Sequence, residues 1–358
     1  MANPNPIDFI TNDFLGFCRS DALSNVVVNN YLAYCQKAPH TQSGFGGSRS
    51  VLGSSELLES LENKIARYHG CPSAFLAHNG YMANLGFCYH ISRETDVLLW
   101  DESVHISLVK GLPVISGRHQ SFRHNDVNHL ESLLSHYRSI SSGRIFIFVC
   151  SIYSFLGTQA PIAELLILAK KYHAHLIVDE AHAMGIFGDQ GKGICSEFGY
   201  DNFYAVLVTY SKAMGSIGAA ILSSDTVRKE LLSTSPPLRY STALPPYILL
   251  TIDAAYNLLP KEGEQARYRL SVLQRHFSNR YPSASLGCVQ PITVKGDIQY
   301  IAETLRQSQI YVGQINFISS PLLRVNLHAY NTIREIDILM DILEKCSDRI
   351  DINHKLYF

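Results

Sequence analysis

Features that would point to a nucleic-acid, membrane or secreted protein are missing from this sequence of 358 residues. Its 30 lysines and arginines balance 31 aspartates and glutamates, and no long block of one charge occurs, so we expect no nucleic-acid partner. No apolar run approaches the roughly 20 residues that a membrane span needs. The first residues lack a basic segment followed by an apolar one, so we expect no signal peptide, no membrane attachment and a cytoplasmic protein.

The eight cysteines are not arranged as a disulfide framework or a zinc knuckle. They are scattered singly along the chain, without a C-x-x-C pair, so we expect reduced and mostly buried thiols. Internal repeats and low-complexity tracts are absent from the sequence as well. The length of the chain favours two domains over one.

What the sequence does contain is an alternation of short apolar runs with helical patterns. The runs "SAFLAH", "DVLLWD", "RIFIFVCS", "HLIVDEA" and "YAVLVTYS" are rich in β-branched or aromatic residues, and patterns such as "IAELLILAKKYHA" separate them. Buried strands separated by helices predict a mainly parallel sheet in an α/β domain. A long helical stretch, short strands and a last helix follow, so we place a domain boundary near residue 246.

Three ionisable residues stand close together in "LIVDEAHAMG", residues 176–185. Asp179, Glu180 and His182 could belong to a nucleotide-hydrolysis box, but no phosphate-binding loop of the form G-x-x-x-x-G-K-[ST] accompanies them. A metal site would need further ligands, and neither an H-x-x-x-H pair nor a Cys/His partner lies nearby in sequence. Neither use of the cluster is favoured, although a metal site completed by ligands from distant parts of the sequence stays an open alternative.

A lysine follows the next predicted strand and suggests another use of the cluster. Lys212 lies in "SKAMGSIGAA", where glycines allow a ligand to approach the backbone closely. Because ligands of open parallel sheets lie beyond the carboxyl ends of the strands, Asp179 and Lys212 would face one crevice. Pyridoxal phosphate needs such a pair, a lysine for its aldehyde and a carboxylate for its pyridine nitrogen. The alternative is a solvated surface lysine.

A cofactor phosphate would also need backbone amides and hydroxyl groups. The stretch "HNGYMANLGF" forms a glycine-containing turn before a helical pattern, so the amides of Asn79, Gly80 and Tyr81 are candidates. Thr209 could supply one hydroxyl, and Ser241 or Thr242 another. A simple turn before a helix is the alternative explanation of this stretch.

With these residues in view, the sequence resembles the α-oxoamine synthases, which are pyridoxal-phosphate enzymes of the aspartate-aminotransferase fold. The motifs "NDFLGF", "SGFGGSRSVLG", "NGYMANLG", "DESVHISLVKG", "VDEAHAMG", "TYSKAMGSIGAA" and "RYSTALPP" occur in family order. The resemblance implies a mainly parallel seven-stranded sheet in a large domain and a smaller α+β C-terminal domain. It implies an N-terminal segment 1–44, a large cofactor-binding domain 45–245 and a small domain 246–358.

The resemblance also implies roles for individual residues. Lys212 would be the Schiff-base lysine, Asp179 would pair with the pyridine nitrogen and His182 would bond the ring hydroxyl. His105 would stack on the ring and contact the substrate, and Arg324 would bind the substrate carboxylate. The remaining cofactor contacts would come from Asn79, Gly80, Tyr81, Ser154 and Thr209, with Ser241 or Thr242 reaching in from a second subunit. Glu180 has no role in this scheme, and no metal is expected.

Within the family, "SGFGGSR", "HNDV" and "YSTALPP" look most similar to the 8-amino-7-oxononanoate synthases. The resemblance therefore implies a homodimer that condenses L-alanine with pimeloyl-coenzyme A or a pimeloyl carrier protein. Glycine with acetyl-coenzyme A, or serine with a long acyl chain, is the alternative substrate pair. Cys150, Leu156 and Thr158 stand where relatives usually have acidic residues, and this motivates a third hypothesis, a non-catalytic scaffold subunit.

Overall fold

Two β-sheets and their helices form the structure, a computed structural model that describes residues 6–52, 54–91, 93–282, 285–295, 297–316 and 321–346. The strands are Ile7–Phe9 (β1), Ser73–Ala77 (β2), Val97–Asp101 (β3), Arg118–Phe122 (β4), Ile145–Cys150 (β5), His175–Asp179 (β6), Ala205–Thr209 (β7), Ala219–Ser223 (β8), Val289–Thr293 (β9), Ile310–Ile315 (β10) and Leu322–Asn326 (β11).

The helices alternate with these strands over most of the chain. They are Asp21–Lys37 (α1), Arg49–Leu52 (α2), Glu56–His69 (α3), Gly80–His90 (α4), Ile106–Gly111 (α5), Val127–Ile140 (α6), Ile162–Lys171 (α7), Asp225–Thr234 (α8), Pro236–Arg239 (α9), Pro246–Leu258 (α10), Glu264–Arg280 (α11), Ile298–Gln307 (α12) and Ile333–Lys345 (α13).

The larger sheet has seven strands in the order β2-β8-β7-β6-β5-β3-β4. β8 runs antiparallel to β2 and β7, and the other neighbours are parallel. All six residues of β5 and all five of β7 are buried, as apolar runs in the middle of an α/β sheet should be. The predicted α/β fold with a mainly parallel seven-stranded sheet is confirmed.

Two strands of this sheet were not recognised in the sequence. β4, "RHQSF", is an edge strand whose first three residues are exposed, so it lacks an apolar run. β8 follows the glycine-containing loop after Lys212, and its "AAILS" begins with small residues that we assigned to that loop. Their places in the sheet come from pairing with β3 and with β2 and β7, which no local pattern encodes.

Local signals explain where several helices begin and end. The side chain of Ser55 accepts a hydrogen bond from the amide of Leu58 at the start of α3, and Gly70 ends that helix at φ 70°. The long helical stretch predicted after residue 246 is two helices, because Pro260 lacks the amide hydrogen that a continuous helix needs. A wider turn at Leu259–Gly263 joins α10 to α11.

The smaller sheet has the order β1-β10-β11-β9, so a strand from the beginning of the chain joins three from its last third. β1 is parallel to β10, whereas β10, β11 and β9 pair antiparallel. The predicted last helix corresponds to α13, which a capping box of Thr332 and Glu335 begins. Residues 347–350 of that prediction lie outside the described residues. The domain bounds 1–44, 45–245 and 246–358 stay predictions.

One buried side chain holds the beginning of the chain against the smaller sheet. Asn326, the last residue of β11, is fully buried, and its Nδ2 donates to the carbonyl oxygens of Ile10 and Thr11 at 3.1 and 2.7 Å. These bonds lie just before Asn12, whose side chain accepts a hydrogen bond from Arg324, a residue of the candidate site described below. The bond to Ile10 is the costly one to break, since this carbonyl oxygen would lose its donor, whereas that of Thr11 keeps Nε2 of His328 at 2.8 Å.

Asn326→Ala should therefore destabilise the protein by about 1–3 kcal/mol, the cost of leaving buried polar groups without a partner. We expect a lower melting temperature in circular dichroism. Asn29→Ala, at an exposed position of α1, is the matched control and should change stability by less than about 0.5 kcal/mol. Equal melting temperatures for both variants would contradict the proposed role of Asn326.

Candidate active site

A cavity of about 240 Å³ lies at the carboxyl ends of β5, β6 and β7. The last residues of these strands, Cys150, Asp179 and Thr209, all line it. The lining also includes the start of α4 and the residues just after the strands: Asn79, Gly80, Tyr81, Asn84, His105, Ile152, Ser154, Ala181, His182, Ser211 and Lys212. This is the edge of a parallel sheet at which ligands bind.

The carboxylate of Asp179 is held by two donors. The backbone amide of Ala181 donates to its Oδ1 at 2.9 Å, and Nδ2 of Asn84 donates to its Oδ2 at 2.8 Å. Asp179 is 4% exposed. Its position at the end of β6 and these two bonds fix the direction in which the carboxylate faces the cavity.

His182 lies in the turn that follows β6. Burial holds the pKa of His182 well below its ordinary range, and the charges of Lys212 and Arg324 act in the same direction. The ring is therefore neutral at physiological pH. Among the described residues its Nδ1 has no hydrogen-bond partner, and the ring of Phe14 lies 5.8 Å away, centroid to centroid. A buried nitrogen without a partner is available to a ligand.

The start of α4 and the end of β7 meet on one side of the cavity. The side chain of Asn79 caps α4 by accepting from the amide of Met82 at 2.9 Å. Gly80 comes so close to Thr209 that a Cβ atom would lie 2.7 Å from the methyl carbon of that side chain. Within the described residues, Oγ1 of buried Thr209 has no partner. Helix N-terminal amides and a free hydroxyl together suit an anion such as a phosphate.

Lys212 enters the cavity from the tight loop between β7 and β8. The amide of Ser216 donates to the carbonyl oxygen of Tyr210 at 2.9 Å, and Gly215 takes φ 64°, a left-handed conformation that glycine adopts readily. Burial lowers the pKa of Lys212, the carboxylate of Asp179 opposes this, and the charge of Arg324 lowers it further. The lowered pKa increases the fraction of uncharged, nucleophilic amine.

His105 is the residue that precedes α5, and its side chain accepts from the amide of Ser107. Burial lowers the pKa of His105, the carboxylate of Asp179 raises it and the charge of Lys212 lowers it. The ring is therefore mainly neutral at physiological pH. A neutral imidazole beside the lysine avoids a repulsion between two cations.

Arg324, on β11 of the smaller sheet, lies next to the cavity. Its Nε donates to the carbonyl oxygen of Ser154 at 2.7 Å, and its Nη2 donates to Oδ1 of Asn12 at 3.0 Å. Burial lowers the pKa of Arg324 to about 10, so the guanidinium group is still charged at physiological pH. Because Ser154 lines the cavity, this contact places a cation next to it.

The cavity brings together nine of the residues that the sequence predicts for the site. They are Asn79, Gly80, Tyr81, His105, Ser154, Asp179, His182, Thr209 and Lys212. Ser241 and Thr242 do not line this cavity. In this single chain Oγ of Ser241 donates to the carbonyl oxygen of Pro237 at 2.6 Å, and Thr242 pairs with Ser48. Their predicted reach into the site of a second subunit stays a prediction.

Asn84 is the main residue of the cavity that the sequence did not single out. It lies four residues after Gly80 on α4, so both belong to one face of the helix. A polar residue inside the apolar stretch "YMANLGF" was the available signal, since buried polar groups need partners.

The three positions that depart from the related sequences are accommodated without buried unpaired charges. Burial holds the pKa of Cys150 well above its ordinary range, so it faces the cavity as a neutral thiol next to Asp179. Leu156 is buried among apolar side chains. Oγ1 of Thr158 lies 2.8 Å from Nε2 of His124, whose Nδ1 lies 3.0 Å from Oδ1 of Asp101.

The described part of the chain contains neither a candidate metal cluster nor a helix suited to a membrane. No group of three or more histidine, cysteine, aspartate or glutamate side chains there could hold a metal ion. None of the described helices has the length and apolar character required to cross a membrane.

Comparison with known proteins identifies the family. The model of the family "Aminotransferase class I and II" matches residues 6–343. The chain belongs to this family. Members similar to it include the 8-amino-7-oxononanoate synthase of Salmonella schwarzengrund, 30% identical over 94% of this chain and 88% of the relative. The 8-amino-7-oxononanoate synthase of Emericella nidulans is 31% identical over 96% and 90%.

Solved structures show the same aminotransferase class I and II fold. A serine palmitoyltransferase from S. paucimobilis with a bound PLP–myriocin aldimine superposes with a TM-score of 0.85 at 23% identity, covering 96% of this chain and 87% of that one. The 8-amino-7-oxononanoate synthase of Francisella tularensis superposes with a TM-score of 0.80 at 24% identity, covering 97% and 99%. The family and fold predicted from the sequence are thus confirmed.

Glu180, the remaining ionisable residue of "LIVDEAHAMG", does not line the cavity. It is fully buried, and its Oε1 accepts from the amide of Cys195 at 3.1 Å. Burial raises the pKa of Glu180 from its ordinary value of 4.5 to about 7. The folded protein therefore keeps a proton on Glu180 in a pH range in which the unfolded chain releases it.

This difference predicts a pH-dependent stability. The contribution of protonated Glu180 is fully present below pH 4.5 and is lost as the pH rises through about 7. Glu180→Gln stays neutral throughout, so the melting temperature of the wild type should fall relative to this variant between pH 4.5 and 8. Glu59→Gln, at an exposed position of α3, should show the pH dependence of the wild type. If the melting temperatures of the wild type and Glu180→Gln change with pH in the same way, the raised pKa of Glu180 is contradicted.

Proposed function

We propose that this chain is a pyridoxal-phosphate-dependent acyltransferase that condenses L-alanine with a pimeloyl thioester to form 8-amino-7-oxononanoate, carbon dioxide and free thiol, a step of biotin synthesis. The observation that carries the proposal is the meeting of Lys212 and Asp179 in one cavity. Relatives about 30% identical over nearly the whole chain bear the name of that synthase, which supports this substrate pair.

The polar groups of the cavity fit the cofactor. Oγ1 of Thr209 and Nδ1 of His182 are buried atoms without a partner among the described residues, and such atoms are rare unless a ligand or water satisfies them. Thr209 and the amides of Asn79, Gly80 and Tyr81 would hold the phosphate. His182 would hold the ring hydroxyl, and Lys212 the aldehyde. His105 and Ser154 would contact the ring.

When bound, pyridoxal phosphate supplies an electron sink for the negative charge that develops at the substrate Cα. Asp179, whose two oxygens already accept from Asn84 and Ala181, would keep a proton on the pyridine nitrogen through its negative charge. The amine of Lys212 would remove the Cα proton as a general base, and its lowered pKa suits this task.

Arg324 would bind the carboxylate of the amino acid. Its guanidinium group keeps its positive charge, and its contact with the carbonyl oxygen of Ser154 places it at the edge of the cavity. The hydrogen bonds between a guanidinium group and a carboxylate are charge-assisted and therefore stronger than those between neutral groups. The substrate Cα would attack the acyl thioester, which would release the thiol. The resulting β-keto acid would lose carbon dioxide, and the protonated Lys212 would return a proton to Cα.

The homodimer is part of the proposal. Ser241 and Thr242 lie outside the cavity of their own chain, which is compatible with their predicted reach into a second subunit. The cytoplasmic location and the absence of nucleic-acid and membrane partners stay predictions from the sequence.

A second candidate changes only the substrates. The fold shared with a serine palmitoyltransferase supports serine with a long acyl chain as an alternative pair. Glycine with acetyl-coenzyme A is the other alternative that the sequence resemblance implies. A scaffold role without catalysis is less favoured, because Lys212, Asp179 and His105 share one cavity despite the changes at Cys150 and Thr158.

Lys212→Ala tests the cofactor. Purified wild type with added pyridoxal phosphate should show a visible absorption band, and borohydride reduction followed by mass spectrometry should place the attached cofactor on Lys212. Lys212→Ala should lose both signals and about 100- to 10,000-fold in activity. Lys110→Ala, an exposed lysine of α5, should retain them. A band that persists in Lys212→Ala would overturn the cofactor assignment.

A panel of amino acids and acyl thioesters tests the substrates. The amino acids are L-alanine, glycine and L-serine, the acyl donors are pimeloyl-, acetyl- and palmitoyl-coenzyme A, and thiol release is measured. We expect the fastest release with L-alanine and pimeloyl-coenzyme A, and none from Lys212→Ala. Faster release from either alternative pair would change the assignment, and no release from any pair would favour the scaffold.

A further inference from the structure

A line of hydrogen bonds joins Asp179 to His105 through two buried side chains. Asn84 in α4 is 1% exposed and Ser107 in α5 is fully buried. Nδ2 of Asn84 donates to Oδ2 of Asp179 at 2.8 Å and to Oγ of Ser107 at 2.9 Å. Oγ of Ser107 lies 2.7 Å from Nδ1 of His105. Three elements of the fold, α4, α5 and β6, are thus connected beneath the cavity.

The donors and acceptors of this line can be assigned at every atom. An ionised carboxylate only accepts, so one hydrogen of the Asn84 amide points to Asp179 and the other points to Ser107. The backbone amide of Ser107 donates to Nδ1 of His105 at 3.3 Å, so that nitrogen acts as an acceptor. With Nδ1 as an acceptor, the 2.7 Å contact requires the hydroxyl group of Ser107 to donate to Nδ1 of His105. The proton of neutral His105 is then on Nε2.

We propose that Asn84 and Ser107 are positioning residues that hold Asp179 and His105 as one unit, with His105 kept neutral and protonated on Nε2. The proposal rests on the proposed function, in which Asp179 and His105 contact the cofactor. It adds two residues to that scheme and specifies the tautomer of a third. A site whose dipoles are oriented before the ligand arrives needs less reorganisation when it binds.

The surroundings of His105 favour the same state. The charged or titratable groups that act on it or lie against it are Asp179 on β6, His182 after β6, Lys212 after β7 and Cys150 on β5. Burial lowers the pKa of His105. Hydrogen bonds donated to Nδ1 stabilise the neutral ring, because protonation of that nitrogen would break the bond from the backbone amide of Ser107 and reverse the bond with its hydroxyl group.

Ring ¹⁵N-labelled histidine provides a readout that does not depend on activity. NMR spectra of the full-length protein, with and without added pyridoxal phosphate, report the tautomer and the titration of each histidine, and His105→Gln identifies the His105 signal. We expect a single Nε2-protonated form in the wild type. Ser107→Ala should produce a mixture of tautomers and raise the His105 pKa by about one unit.

Two further serine variants show whether the hydroxyl group is responsible. Ser107→Thr keeps the hydroxyl group and should restore the wild-type signal. Ser132→Ala, at an exposed serine of α6, is the matched control and should leave the His105 signal unchanged. An Nδ1-protonated His105 in the wild type, or an unchanged signal in Ser107→Ala, would overturn the proposal.

Asn84→Leu tests the connection itself, because Asn84 bonds to Ser107 and not to His105. Loss of its donor should let the Ser107 hydroxyl group rotate, so the His105 signal should change. An unchanged signal in the folded variant would contradict a connected unit. If circular dichroism shows that Asn84→Leu does not fold, the comparison of Ser107→Ala with Ser107→Thr tests the proposal. The tautomer of His105 can be measured in the cofactor-free protein. If the Lys212 experiment contradicts the proposed function, these spectra still test the roles of Asn84 and Ser107.

Discussion

The parallel pairing of β5, β6 and β7 places Cys150 beside Asp179, and Asp179 beside Leu207. All three strands leave the sheet at the same edge, so the residues that follow them meet in one cavity although they are far apart in the chain. A shift of this register by one residue would turn Asp179 to the other face of the sheet. Because these strands are almost entirely buried, such a shift would also displace the core side chains.

Burial then sets the electrostatics of the cavity. The pKa values of Lys212, His105 and His182 are all lowered, chiefly by burial, so these groups hold their protons less tightly than in water. Asp179 instead has two donors that stabilise its negative charge. The result is an amine that releases its proton more readily than an exposed lysine, two neutral imidazoles and a carboxylate held by two hydrogen bonds. This combination suits a cofactor that requires a nucleophilic amine and a partner for a protonated ring nitrogen.

The sequence predicted those parts of the fold and site that depend on local pattern. The apolar runs identified five strands of the larger sheet, and the polar or small residues at their ends identified most of the cavity. β4 and β8 were not found, because one is an exposed edge strand and the other begins with small residues after a glycine-containing loop. Asn84 was not singled out, since its importance comes from contacts with Ser107 and Asp179 on other elements.

By itself the sequence determined the chemical groups and their order: Asp179 at one strand end, Lys212 after the next and a glycine turn at Gly80. These features depend on short-range preferences of the backbone and on the spacing of apolar residues. Only the tertiary structure decided which distant groups meet, such as Arg324 of the smaller sheet with Ser154, or Asn84 with Asp179. Such contacts are set by sheet register and by packing between elements, which no short stretch of sequence specifies.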